Sequence, residues 1–324
     1  MSRWLIRRTL QAAVTFAVAV LLLFVLVRVA PGDPLARIIG ERAVSPQELA
    51  HLRERFGLNQ PLTTQLRAFL GGVARGDLGV SIEHYPERVT SLLAARLPAT
   101  VLLGGTVLLL NFSVGAWLGV RQAVRRGSRF DRWLTRIALA AYATPSFWLG
   151  LVLVAFVSVR WHLLPAAQMT DPLLGPEAGT LTRALDLLRH LILPALTLSV
   201  TSLALPLRHQ RAAMLASFRL DFVTAARARG LTERRVRWRH AWRTTLVPML
   251  TLLGLWLPIL VSGSVFVESV FNWPGLGSLA ADAIAARDYP VLLGTAMLVS
   301  ATVVIAGLLA DLGYALVDPR VRPA

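Results

Sequence analysis

The sequence predicts an all-α protein that crosses a membrane several times, and three observations carry that prediction. The chain of 324 residues is 55% apolar with a mean hydropathy of +0.58, too apolar for an ordinary soluble domain and too long for a simple anchor. Its apolar residues gather into six runs, at approximately 9–30, 99–120, 134–158, 190–207, 248–268 and 291–317. Each reaches or approaches the roughly 20 helical residues that span a hydrocarbon core about 30 Å thick. The arginines between the runs are unevenly shared. With no Cys in the chain, a disulfide framework and a Cys-based zinc site are both excluded.

The first run follows Arg3, Arg7 and Arg8, as a signal peptide would. It is too long for an h-region, and Arg28 stands where cleavage after Ala30 wants a small residue, so it reads as a retained span. Segment 31–98 is no loose loop. Ser45-Pro46-Gln47-Glu48 combines a capping box with Pro at the first helical position and opens a helix to about Phe56, stopped at Gly57. Leu62, Leu66, Phe69, Leu70 and Val73 mark a second amphipathic helix, ended by Gly76-Asp77-Leu78-Gly79. This segment is either a scaffold packed on the bundle or a docking surface for an outside partner.

In the second run, Asn111 reads as an interhelical hydrogen-bond partner. The fourth is the shortest and holds Pro194 and Pro206, so neighbours must satisfy the backbone groups that proline frees. Ser262, Gly263 and Ser264 in the fifth suit close helix packing or the lining of a path, and Glu268 with the turn Trp273-Pro-Gly-Leu-Gly277 shapes the outer mouth. Asp311 in the last run suits snorkelling or pairing with an inner Arg, with a role in the path as the alternative.

Orientation follows from the loops. One side carries 21 Arg against four acids, the other 12 Arg against 13 acids. The positive excess marks the cytoplasmic face and puts both termini inside. The same bias explains the pI of 11.7 without nucleic acid and implies attraction to anionic lipid.

Between the fourth and fifth runs lies Asp221-Phe-Val-Thr-Ala-Ala-Arg-Ala-Arg-Gly230. Residues 221–229 suit a helix, and Ala225, Ala226 and Ala228 offer small side chains where another surface can approach. Gly230 fits the position just past a helix end. Thr232 then caps a second helix with Glu233 in its first turn and Trp238 and Trp242 on one face beside Arg235, Arg239 and Arg243. A DNA-binding helix-turn-helix is the rival reading. Spans begin about a turn beyond each end, so the hairpin cannot reach a major groove.

This stretch resembles the cytoplasmic signature of ABC-transporter permeases, Glu-Ala-Ala followed by Gly. Thr224 stands at the Glu position, Ala225 and Ala226 at the two Ala positions, Gly230 at the Gly and Pro248 at the terminal Pro. The likeness to the dipeptide/oligopeptide/nickel importer branch covers essentially the whole chain. It includes Pro31-Gly-Asp-Pro34, Gly57-Leu-Asn-Gln-Pro61, Gly76-Asp-Leu-Gly79, Arg96-Leu-Pro98, Pro145-Ser-Phe-Trp148, Ala225-Ala-Arg-Ala-Arg-Gly230, Phe271-Asn-Trp-Pro-Gly-Leu-Gly277, Arg287-Asp-Tyr-Pro290 and Asp318-Pro-Arg320.

The resemblance implies a six-span importer permease, the first of two such subunits in a bacterial inner membrane. Its expected partners are a second permease, two cytoplasmic ATPase subunits and an extracytoplasmic solute-binding protein. The expected organisation is a first span with a helical extracytoplasmic segment (1–98), a five-span core (99–317) containing the coupling loop 209–247, and a tail (318–324). ATPase coupling falls to Asp221, Thr224, Ala225, Ala226, Ala228, Gly230 and Leu231. Peptides are the expected solute, with chelated nickel or glutathione as alternatives within the family; a non-transporting receptor or scaffold and a secondary transporter are the other classes.

No Lys occurs in the chain, so it holds no Gly-x-x-x-x-Gly-Lys-Ser/Thr phosphate loop, and ATP must be used by partner subunits. It lacks Gly-x-Ser-x-Gly and His-Glu-x-x-His, and its six His are scattered. No catalytic, cofactor or metal residue is therefore expected, and no residue is assigned to the substrate path.

Overall fold

The computed structural model describes residues 2–29, 35, 45–175, 177–256, 258 and 264–317. Helices dominate them, and the only β pairing among the described residues is an isolated antiparallel bridge between Val80 and Arg88. Four helices are long and apolar enough to cross a membrane: Ile6–Val29 within α1 (Ser2–Val29), α4 (Val89–Val124), α7 (Thr180–Ser202), and Tyr289–Leu308 within α14 (Tyr289–Val317).

The third predicted run is not one straight span. Helix α5 (Arg129–Ala143) is followed by α6 (Ser146–Leu153) and a π-helical continuation, Val154–Arg160, and the two parts meet at 97°. Thr144 is extended (φ −80°, ψ 127°), the conformation that proline favours in the residue before it, and Pro145 has no N–H to continue the α5 ladder. The fourth run also shifts. Its helix starts at Thr180, carries Pro194 inside, and breaks at Leu203, where α8 (Ala204–Ser217) begins. In place of the fifth run, α11 (Trp242–Trp256) has 15 residues and α12 (Val265–Val270) has six. By length and composition the described helices therefore supply four spans, or five with the bent pair, rather than six. Ser262, Gly263, the motifs Pro31–Pro34 and Asp318–Arg320, and the side chain of Asp311 lie outside the described residues.

Segment 45–88 forms the two expected helices, α2 (Pro46–Arg55) and α3 (Leu62–Ala74). Ser45 caps α2 by accepting the Glu48 N–H at 3.2 Å, the first half of the predicted box. Leu66 and Phe69 of α3 pack on a cluster of Phe24, Val27, Tyr289 and Leu293, with Phe69 stacked on Phe24 at 5.3 Å. Leu66 and Phe69 thus rest where the first and last spans meet, while Leu62 and Leu70 of the same predicted stripe stay exposed. Helix α4 runs unbroken through Pro98, so the first segment and the core share one element.

Two buried acids close the arginine-poor end. Asp288 precedes α14 and is 1% exposed. Its carboxylate accepts the Ser81 hydroxyl and the N–H groups of Ile82 and Glu83, each N–H at 3.1 Å, and that of Val291 at 3.3 Å. One side chain thereby starts the last helix and fastens loop 81–83 to it. Glu268 of α12 is fully buried and accepts the N–H groups of Ser278 (2.9 Å) and Ser264 (3.3 Å). The turn Trp273–Gly277 leads from it into α13 (Leu276–Ala286), and a Cβ on Gly277 would lie 2.9 Å from its Oε2. Trp273 donates its indole N–H to the Ala99 carbonyl at 2.9 Å and joins Leu103, Val107, Leu191 and Ala195 in the core.

Inside the bundle, the Asn111 amide donates to the Ser202 hydroxyl at 2.7 Å, tying α4 to α7 as expected. The tightest helix pair is α4 with α8. A Cβ on Gly119 would sit 2.6 Å from the Leu207 carbonyl oxygen and 2.8 Å from Gln210 Cβ, so only glycine admits this approach. Gly119→Val should destabilise the protein by about 1–3 kcal/mol through overpacking, seen as a lower unfolding midpoint in detergent. Gly307→Val, where an added Cβ meets nothing within 4 Å, should leave the midpoint unchanged.

Candidate functional site

The hairpin grows from α8. A turn at 218–220 leads into α9 (Asp221–Ala228), and Gly230 reverses the chain with φ +75°, a left-handed conformation that other residues adopt only with strain. The second limb is a short helix, α10 (Glu233–Arg235), then a π-helical segment Val236–Ala241, which passes directly into α11. The predicted helix-turn-helix is present, with its second limb continuous with the following apolar helix.

The limbs are held by a core of their own. Val223, Ala226, Val236, Ala241 and Met214 are fully buried, and Val120 and Ala123 of α4 complete the cluster. Val236 and Ala241 are five residues apart, the repeat of a π turn, so both can face α9. Burying such a set removes enough apolar surface from water to hold two short helices that would be unstable alone. Polar ties reinforce it. Ser217 donates to the Ala241 carbonyl at 2.9 Å, Thr244 to Ser217 at 2.8 Å, and Gln210 to Thr245 at 2.9 Å.

A bidentate ion pair links the hairpin's root to α5. Arg211 of α8 donates from Nε and Nη2 to the two Asp131 oxygens at 2.9 and 2.8 Å. Asp131, which lies ahead of the apolar run from 134, also accepts the Gly127 N–H at 2.9 Å. The hydrogen-bonded Arg211 guanidinium holds the Asp131 carboxyl below its ordinary range and raises Arg211 in turn. Root, α4 and α5 are therefore one braced unit.

Residues 111–323 match the family model described as the binding-protein-dependent transport system inner membrane component, and residues 1–104 match the N-terminal model of the same systems. The chain belongs to the binding-protein-dependent transport permeases. This permease is 36% identical, over 99% of both chains, to the dipeptide transport system permease protein of Escherichia coli. It is 39% identical over 95% of each chain to the di/tripeptide transport system permease protein of Pseudomonas aeruginosa. Against the oligopeptide transport system permease protein of Bacillus subtilis the identity is 36%, over 99% of this chain and 100% of the other.

In this permease the residues expected to form a contact divide into two groups. Asp221, Thr224, Ala225 and Ala228 are exposed, as is Gly230, and Leu231 is half-buried. Ala226 instead has no exposed surface and packs inward against the second limb and α4. On a helix, 223 and 226 share a face, and once Val223 turns inward Ala226 must follow. The free edge also presents two residues that motif matching passed over, Phe222, 43% exposed, and Arg229. The signal for Phe222 was an aromatic one position ahead of the inward pair.

Thr232 departs from expectation as well. Its backbone is extended (φ −60°, ψ 142°), but its side chain makes no capping bond. Glu233 turns instead to Arg227 at 2.9 Å, an exposed pair whose contribution is small. Trp238 and Trp242 pair with ring centroids 5.9 Å apart.

The inward placement of Ala226 has a direct test. Ala226→Glu buries a carboxylate with no partner and should make trypsin cut rapidly at Arg227 and Arg229, whereas Ala225→Glu should leave the cutting rate within about twofold of the parent, as surface changes usually do. Equal cutting of the two variants would contradict the packing described.

Proposed function

We propose that the chain is a permease subunit of an ATP-driven peptide importer, forming half of the translocation path and drawing its energy from separate ATPase subunits. The observation that carries this reading is full-length similarity to permeases of dipeptide, di/tripeptide and oligopeptide transport systems. The free edge of α9, made of Asp221, Phe222, Thr224, Ala225, Ala228 and Arg229, is the seat for an ATPase. It is exposed, small in the middle and aromatic at one end, and its inner core makes it rigid enough to pass on a displacement. A packed bundle with two arrangements would convert that displacement into alternating access.

In this reading the six apolar runs are six crossings of a bacterial inner membrane, with the third bent and the fifth interrupted. Both termini lie in the cytoplasm, on the side of the arginine excess. A second permease completes the path, and a solute-binding protein delivers peptide to the opposite side, where α2 and α3 lie. The chain needs no cofactor of its own.

Two experiments address this. In a co-purification with the ATPases, Ala225→Arg and Phe222→Ala should each reduce recovered ATPase by about tenfold, the loss of roughly 1.4 kcal/mol of binding, and ATP-dependent dipeptide uptake into vesicles should fall with it. Undiminished recovery from both variants would remove α9 as the seat. Separately, a fluorescent protein fused to the C-terminus should glow while alkaline phosphatase at the same point stays inactive; the reverse result would invert the topology.

A further inference from the structure

The free face of the hairpin's second limb carries three arginines with no carboxylate among them. Arg234, Arg235 and Arg239, with Thr232 and Trp238, line an open groove of about 440 Å³. None of the three arginines joins an ion pair among the described residues. The adjacent acid, Glu233, is turned to Arg227, and no Asp or Glu occurs from 234 to 256. Residues 234 and 238, like 235 and 239, are four apart and share a face. Val236 and Ala241 occupy the other face, buried against α9. The groove is thus a fixed product of the limb's packing and carries unbalanced positive charge.

Its position identifies the ligand class. The limb continues without a break into α11, whose Leu246, Val247 and Leu250 are exposed. From 239 to 246 the rise is about 10 Å at 1.5 Å per residue, a few ångströms more than the roughly 5–8 Å depth of one headgroup layer, a difference that a long arginine side chain spans. Trp238, 42% exposed at the groove's edge, is the residue type that settles at that level. We propose that this groove binds the phosphate of an anionic membrane lipid, with Arg234, Arg235 and Arg239 on the phosphate oxygens and Trp238 against the glycerol and upper acyl carbons. A soluble phosphate would satisfy the same arginines. It would make no use of the solvent-exposed part of Trp238 or of the apolar flank of α11, so a lipid is the better match. The second limb is then anchored to the bilayer, and the opposite limb, α9, is left for a protein.

The test uses the full chain in detergent, delipidated and then exposed to mixed micelles containing phosphatidylglycerol or phosphatidylcholine, with bound lipid counted by native mass spectrometry. Phosphatidylglycerol should be retained in preference to phosphatidylcholine. Arg239→Gln should weaken that retention about fivefold and the triple Gln variant at 234, 235 and 239 more than tenfold, since each basic residue near a charged surface contributes independently. The triple Lys variant should keep retention within about threefold, because a point charge serves a phosphate. Arg126→Gln, on another exposed loop, is the control. Equal loss in that control, or no loss in the triple Gln variant, would overturn the site. Displacement of the lipid by millimolar inorganic phosphate or ATP would assign the groove to a soluble phosphate and overturn the lipid assignment. If the triple Gln variant fails to insert, the single Arg239→Gln variant and the Lys variant decide the matter.

Discussion

The approach of α8 to α4 is the constraint on which the rest depends. Where Gly119 meets Leu207 and Gln210, the two backbones come within a distance that no side chain permits, and one turn away Gly115 lies tight against Pro206 and Leu207. Close approach of this kind maximises dispersion contacts, the main source of association between helices in a setting where lipid is as apolar as leucine. With α8 fixed, Met214 falls beside Val120 and Ala123, and the pocket for α9 already exists. Arg211 is brought to Asp131 by the same placement. The hairpin is the outer layer of a packing arrangement that begins at two glycines.

A different logic holds the other end. Asp288 and Glu268 are buried acids surrounded by backbone N–H donors rather than by cations. Several N–H groups satisfy the oxygens of a buried carboxyl group without a counter-ion. Each acid also ties together segments far apart in sequence, loop 81–83 with α14 and α12 with α13. Ion pairing braces the basic end; backbone donors close the arginine-poor one.

Composition alone made α1, α4 and α14 legible, because a long apolar run has few other fates, whereas α7 starts ten residues ahead of its predicted run and ends at Ser202. The bends were not legible. Pro194 sits inside α7 and leaves it helical, while Pro145 begins a new helix, and a proline in the sequence does not by itself tell the two apart. The caps were half legible: Ser45 behaves as its pattern predicts, whereas Thr232 stands at the N-cap position but makes no side-chain capping bond. Within Thr224–Gly230 the motif marked the correct helix and turn. It did not separate Ala225, which is exposed, from Ala226, which is buried, because that division depends on the contact of Val223 with Val236 and Ala241. Phe222 stayed unnoticed for the same reason. A pattern in sequence records which residues matter, and only the packing tells which way each one faces.

The inward half of α9 also bears on how such proteins can be recombined. The stretch around Gly230 reads as a portable docking epitope, yet Val223 and Ala226 are matched in shape to Val120, Ala123 and Met214, which lie outside it. A hairpin exchanged between two permeases would bring its own inner face to a foreign α4. Successful chimeras should therefore carry the ends of α4 and α8 along with the loop. The unit to exchange is then larger than the exposed edge of α9 alone.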